Sequence, residues 1–217
     1  MKTIQVTGIG NLKIKPNQIQ LNLTLQNKKL TYDETISVSE EELKEIQCAI
    51  EKAGLNKSNL KTKRFSVDPS YESYYDERKN YKKRFDGYKY SQSLTITFDL
   101  DNKLLGEVLY NLSKCKSAPE NDIGYTIKDK ESAKNELLAL AVSDSRNKAM
   151  ILASSAHVEL GDIINIDYSW SSIEVYSQTN YKMNCDYMRG LESGFELDVD
   201  PEDIHLSDNV KIIWEIK

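Results

Sequence analysis

Apolar and polar positions alternate most regularly between Gly87 and Leu100, GYKYSQSLTITFDL. Tyr88, Tyr90, Leu94, Ile96, Phe98 and Leu100 share one parity, and Lys89, Ser91, Ser93, Thr95, Thr97 and Asp99 hold the other. A period of two over this length predicts a long strand with one face in the core and one in water. It reads as the central strand of an antiparallel sheet. Two strands are expected before it. Ile4, Val6, Gly8, Gly10, Leu12 and Ile14 alternate over 3–14, and Ile19, Leu21, Leu23 and Leu25 alternate over 18–29. The parity changes at Lys15-Pro16-Asn17-Gln18, which predicts a turn or bulge. Gly8 and Gly10 predict a kink or a close approach by neighbouring backbone.

Helical spacing takes over after Thr31. Thr31 and Glu34 stand as N-cap and N3 of a capping box, and Ile36, Leu43, Ile46, Ile50 and Ala53 then recur at helical intervals up to Gly54. A first helix is expected over about 33–53. Residues 59–67 read as a strand ended by Asp68-Pro69. Asp101-Asn102 caps a second helix with a Leu104, Leu105, Val108, Leu109 and Leu112 stripe. Pro119–Asp122 breaks the chain, and 123–127 is a short strand. Asp129 caps a third helix over 130–156, striped by Leu138, Ala141, Val142, Ser145, Ala149, Leu152, Ala153 and Ala156. So many small residues predict that this helix lies very close to a sheet, where larger side chains would overpack. Ile163, Ile164 and Ile166 open a strand running to Trp170, and Val210, Ile212, Trp214 and Ile216 close the chain with another. Residues 171–200 show no period and read as a loop or flap. The order is ββαββαβαββ, an α+β fold with an antiparallel β-sheet packed by three helices.

Between the third strand and the long one lies SYESYYDERKNYKKRFDGY, Ser70 to Tyr88. It is too charged for a core strand and too rich in tyrosine for an ordinary loop. It reads as an extended hairpin whose tip carries Arg78, Lys79, Lys82, Lys83 and Arg84. A solvated hairpin is the plain alternative; a protruding arm that docks on another subunit or a ligand is the functional one.

Composition narrows the classes. The chain has 217 residues, 39% hydrophobic and 29% charged, enough for one large domain with a proper core. A net charge of −5 leaves no electrostatic footprint for nucleic acid. Tyrosine is the outlier, 13 against 4 Phe and 2 Trp, and it suits interfaces because a large ring carries a polar tip. Cys48, Cys115 and Cys185 are widely spaced, which points to free thiols in a reducing compartment. With no apolar h-region in MKTIQVTGIG and no apolar run of membrane-span length, the expected location is cytoplasmic, without membrane insertion.

The chemistry-bearing residues form no constellation. His157, at the end of the third helix, reads as a capping residue meeting the dipole, and His205 as a surface residue. Neither is joined by local spacing to a cysteine or serine, so no catalytic residue is assigned. Asp198, Asp200, Glu202 and Asp203 lack calcium-loop spacing and read as a solvated turn. No cofactor-binding or metal-ligating residues are assigned.

Several strings taken in order resemble the SIMPL domain family. Ile4 to Gly10 fits I-x-V-T-G-x-G, followed by Pro16. Ala53-Gly54-Leu55 and then Thr62 to Tyr71 fit A-G-(L/I) and T-x-x-(F/Y)-x-(V/I)-x-P-x-Y. Gly87-Tyr88 before the long strand, the Ala-rich third helix, Gly161 with its isoleucines, and Pro201, Ile204 and Val210 to Ile216 complete the series. The likeness covers essentially the whole chain, as a single domain over 1–217, with a sub-lobe of the 65–100 hairpin and 160–217 as an option. It implies a bacterial α+β protein of assembly-forming type, with no established catalytic residues and relatives often exported to the periplasm or envelope. The expected function is a non-enzymatic, self-associating interaction domain; the alternative is a small-molecule or enzymatic cleft under the 70–90 and 171–195 segments. Tyr74, Tyr75, Tyr81, Tyr88, Tyr176, Tyr181 and Tyr187 are the expected interface anchors. The expected partner is a second copy or another protein, not nucleic acid.

Overall fold

In the computed structural model, which describes residues 2–169, 173–184, 194 and 198–217, the elements follow the expected α+β order with one addition. They are β1 (Lys2–Ile14), β2 (Gln18–Lys29), α1 (Tyr32–Lys52), β3 (Lys61–Tyr75), β4 (Tyr81–Asp99), α2 (Asn102–Ser113), β5 (Glu120–Thr126), α3 (Lys130–Ser155), β6 (Leu160–Asp167), β7 (Asn180–Asn184) and β8 (Ile204–Ile216). The added strand is β7, within the segment that reads as a flap. Its sequence, NYKMN, is too short to display a period. The strands form two sheets, ordered β1-β8-β6 and β3-β4-β2-β5-β7. The chain accordingly divides into two compact units, residues 1–17, 126–178 and 201–217 in one and 18–125 and 179–200 in the other.

The larger unit is built on the two cleanest alternations. β2 pairs antiparallel with β4, setting Ile19 opposite Phe98, Leu21 opposite Ile96 and Leu23 opposite Leu94. Because side chains alternate, this register puts every apolar member on one face, and all six are buried. The face is covered by Ile46, Ala49 and Ile50 of α1 and by Leu105, Val108, Leu109 and Leu112 of α2. Each of the leucine, isoleucine, valine and phenylalanine side chains contributes roughly 1.5–3 kcal/mol by leaving water. Leu100 falls past the end of β4 and is exposed, so the buried run stops at Phe98. The capping box of α1 forms as expected, Thr31 accepting from the Glu34 amide and Glu34 from the Thr31 amide. Its far end closes in a Schellman turn around Gly54, at φ +89°.

In the smaller unit α3 packs on β1 and β8. The approach is close because β1 has no side chain in the way: a Cβ on Gly8 would lie 2.0 Å from the Ala141 carbonyl oxygen, and one on Gly10 2.2 Å from that of Leu137. The helix turns Ala133, Leu137, Ala141, Ser145, Ala149 and Ala153 inward. That row differs from the expected stripe, since Leu137 replaces Leu138, and Leu152 and Ala156 are exposed. Its members stand four apart, so the contact line winds about the helix by about 40° per step. A stripe sought on one fixed face therefore misses both ends.

α3 also closes the outer edge of β1. Asp144 accepts the Ile9 amide at 2.7 Å, and Lys148, one turn on, bonds Asp144 at 2.7 Å and the Thr7 carbonyl at 3.4 Å. The ammonium and then the amide hold the Asp144 carboxyl below its usual range.

Candidate interaction surface

The tyrosine-rich run does form a hairpin, though its strands are longer than 59–67 and 87–100. β3 does not end at Asp68-Pro69 but continues to Tyr75. Proline is tolerated there because β3 is an edge strand, where a missing amide breaks no ladder, and the register shifts between Pro69 and Tyr71. The pairs Tyr71–Phe85, Ser73–Lys83 and Tyr75–Tyr81 carry the hairpin to a turn at 76–80. The Asp76 carboxylate accepts the Arg78 and Asn80 amides, each at 2.9 Å, and pairs with Lys82 at 3.0 Å. The Asn80 amide and then Lys82 lower its pKa. Lys79 takes φ +61°. Only Arg78 and Lys79 of the expected basic tip sit in the turn; Lys82, Lys83 and Arg84 are on β4.

Aromatic rings line one face of this hairpin. Tyr75 and Tyr81 meet edge to face at 5.9 Å, and Tyr71 and Phe85 at 6.0 Å. Phe85 reaches Tyr88 at 5.3 Å, and Tyr88 reaches Tyr32 at 5.7 Å. Residues two apart on paired strands share a face, so the row follows from the register. Tyr71, Tyr75 and Tyr81 remain 57–71% exposed. On the opposite face Arg84 pairs with Glu72 at 2.7 Å and lies 5.9 Å from the Tyr74 ring.

The structure thus brings four of the expected anchors, Tyr74, Tyr75, Tyr81 and Tyr88, onto one hairpin. Tyr181 belongs to the same unit, on β7. Tyr176 belongs to the other, beside the Lys130 ammonium at 4.5 Å. Tyr187 lies outside the described residues. Tyr71, Phe85 and Tyr32 were not among the anchors, yet they continue the row. The signal for two of them was parity: Tyr71 matches Tyr75, and Phe85 matches Tyr81.

At the hairpin's foot is an open cleft of about 700 Å³ lined by Lys28, Lys29, Asp33, Glu34, Val38 and Asp86. Its polar groups are largely committed, Lys28 to Asp86 and Glu34 to the α1 cap. Asp203 of the acidic run pairs with Lys13 at 3.1 Å. Among the described residues no three carboxylate, thiol or imidazole groups converge as metal ligands.

The family described as SIMPL, protein of unknown function (DUF541), matches residues 4–214. The chain belongs to the SIMPL family. It is 29% identical over 165 residues to the 26 kDa periplasmic immunogenic proteins of Brucella melitensis biotype 1 and Brucella abortus strain S19. Each match covers 75% of this chain and 65% of the relative, so the chain spans just under two thirds of those proteins. Both relatives carry a periplasmic name, which gives the expected cytoplasmic location no support. Among the described residues no helix is long and apolar enough to cross a membrane.

Proposed function

We propose that this SIMPL protein is a non-enzymatic interaction module of the bacterial envelope that self-associates through the β3–β4 hairpin. The observation that supports this reading is the row of rings on one hairpin face, with Tyr71, Tyr75, Tyr81 and Phe85 exposed and half-buried Tyr88 joining them to Tyr32 of α1. Monomers seldom leave so much aromatic surface in water, and tyrosines of this kind anchor interfaces. The envelope location rests on the names of the Brucella relatives.

Light scattering on the full chain and on a variant with 71–86 replaced by a short Gly-Ser turn tests the reading. The expected result is an oligomer for the full chain and a mass near that of one chain, 24.9 kDa, for the variant. A single-chain mass for both would overturn it. The cleft beside Asp86 favours a second reading, a small-molecule site. A ligand that raises the melting temperature of a monomeric chain, with the gain lost in Lys29→Ala, would support that one instead.

A further inference from the structure

The cleft at the hairpin's foot is walled by the end of β2, the first turns of α1 and the part of β4 that meets them. Along β2, Lys29 shares the helix-facing parity of the buried Leu21, Leu23 and Leu25. Asn27, on the same parity, reaches Glu42 of α1 at 2.7 Å, so Lys29 is turned toward the start of that helix. The Thr35 hydroxyl lies 3.3 Å from the Tyr88 carbonyl oxygen and ties the first turn of α1 to β4. β4 comes this close because position 87 has no side chain: a Cβ there would lie 2.2 Å from the Lys29 carbonyl oxygen. The resulting space, about 700 Å³, is of the size that takes a small ligand.

Five charged side chains line it, and three of them are engaged, Lys28 with Asp86 and Glu34 with the Thr31 amide. Lys29 and Asp33 are left. Neither side chain bonds a described residue, and the two do not pair with each other although they carry opposite charges in one cleft. A simple anion on Lys29 would have the Asp33 carboxylate facing it, and a simple cation on Asp33 would have the Lys29 ammonium. A molecule that carries both charges meets each with its opposite. Val38 and Leu30 add an apolar wall, and Leu30 is 74% exposed, surface that an apolar group in the cleft would cover.

We infer that the cleft binds a small zwitterion with an apolar body, an apolar amino acid or a short apolar peptide, with its carboxylate on Lys29 and its ammonium on Asp33. This rests on the small-molecule reading of the cleft given above and names the ligand class. It holds whether or not the chain assembles through the 71–86 row.

Titration calorimetry of the full chain with leucine and with leucyl-leucine tests the assignment. The comparison compounds are N-acetylleucine, which lacks the cation, and leucinamide, which lacks the anion. Leucine or the dipeptide is expected to bind, and the two blocked compounds to bind about fivefold more weakly or worse, since each loses one charge pair. Lys29→Ala is expected to stop distinguishing leucine from leucinamide, and Asp33→Asn to stop distinguishing leucine from N-acetylleucine, a pattern that a merely structural role would not produce. Circular dichroism checks that each variant is folded. If either is not, Ser37→Trp, at an exposed position on the cleft wall, is expected to abolish binding by filling the space. No binding of leucine or leucyl-leucine, or equal binding of the blocked compounds, would overturn the ligand class and leave the cleft open to another small molecule. Binding that survives Lys29→Ala, Asp33→Asn and Ser37→Trp would overturn the cleft as the site.

Discussion

His157 holds a conformation that costs a side chain energy. It follows the C-cap of α3 at φ +58°, where its amide bonds Ser154 and the Val158 amide bonds Ala153, the two bonds of a Schellman turn. The left-handed region costs a residue with a Cβ about 1 kcal/mol. His157→Gly is therefore expected to stabilise the fold by about 0.5–1 kcal/mol, measured by urea unfolding. Its place at the helix end was expected from the sequence; its backbone angle was not, because histidine is not the residue that announces a left-handed turn. Two other residues set an alkaline limit. Burial, and then the Glu42 carboxylate that accepts its hydroxyl, push the Tyr90 pKa far up; burial raises that of Tyr125. Their folded pKa values are raised, so their contribution is complete below the unfolded tyrosine pKa of about 10 and declines as pH rises toward the folded values. Unfolding from about pH 8 to pH 11 is expected to show that decline, with a shallower slope in Tyr90→Phe.

At the scale of elements, the contact between β1 and α3 depends on hydrogen atoms where side chains would be. Gly8→Ala sets a Cβ against a backbone oxygen of Ala141, so no shortening of the Ala141 side chain relieves it. The expected cost is about 2–3 kcal/mol, read from the denaturation midpoint, and Ala141→Gly is expected not to restore it. The two glycines and the small-residue helix each pointed to close packing in the sequence. That they pack on each other is a tertiary fact. The hairpin shows a different limit. Its existence was legible in the Tyr-rich run, but Pro69 concealed the true length of β3, since proline ends a central strand and not an edge strand. Where β3 lies in the sheet depends on pairing with β4, which no local pattern states.

For the whole molecule, none of the buried apolar residues lies between 71 and 86. Replacing that segment is expected to abolish assembly while leaving the monomer folded, with a two-state melt and unchanged helical and strand circular dichroism. Loss of the folded signal would mean that the hairpin is structural. The two compact units draw on interleaved stretches of chain, with residues 126–178 and 201–217 joining 1–17. This organisation follows from which strands pair: β8 takes β1 and β6 as sheet neighbours, and β2 takes β4.

Local chemistry determined much of this protein. Alternation placed β1, β2, β4 and β8, because a face in the core and a face in water leave a period of two in any strand so placed. Thr31, Asp101 and Asp129 marked the helix starts, because a side chain must take up amides that the helix leaves unpaired. The series of strings from Ile4 to Ile216 identified the family. The tertiary structure decided the division into two sheets, the winding row on α3, the strand β7 and the closing of the β1 edge by Asp144 and Lys148. It also decided that Tyr71, Phe85, Tyr88 and Tyr32 form one row while Tyr176 sits in the other unit. All of these depend on which distant segments meet, and a period records only whether a residue faces the core, never which partner covers it.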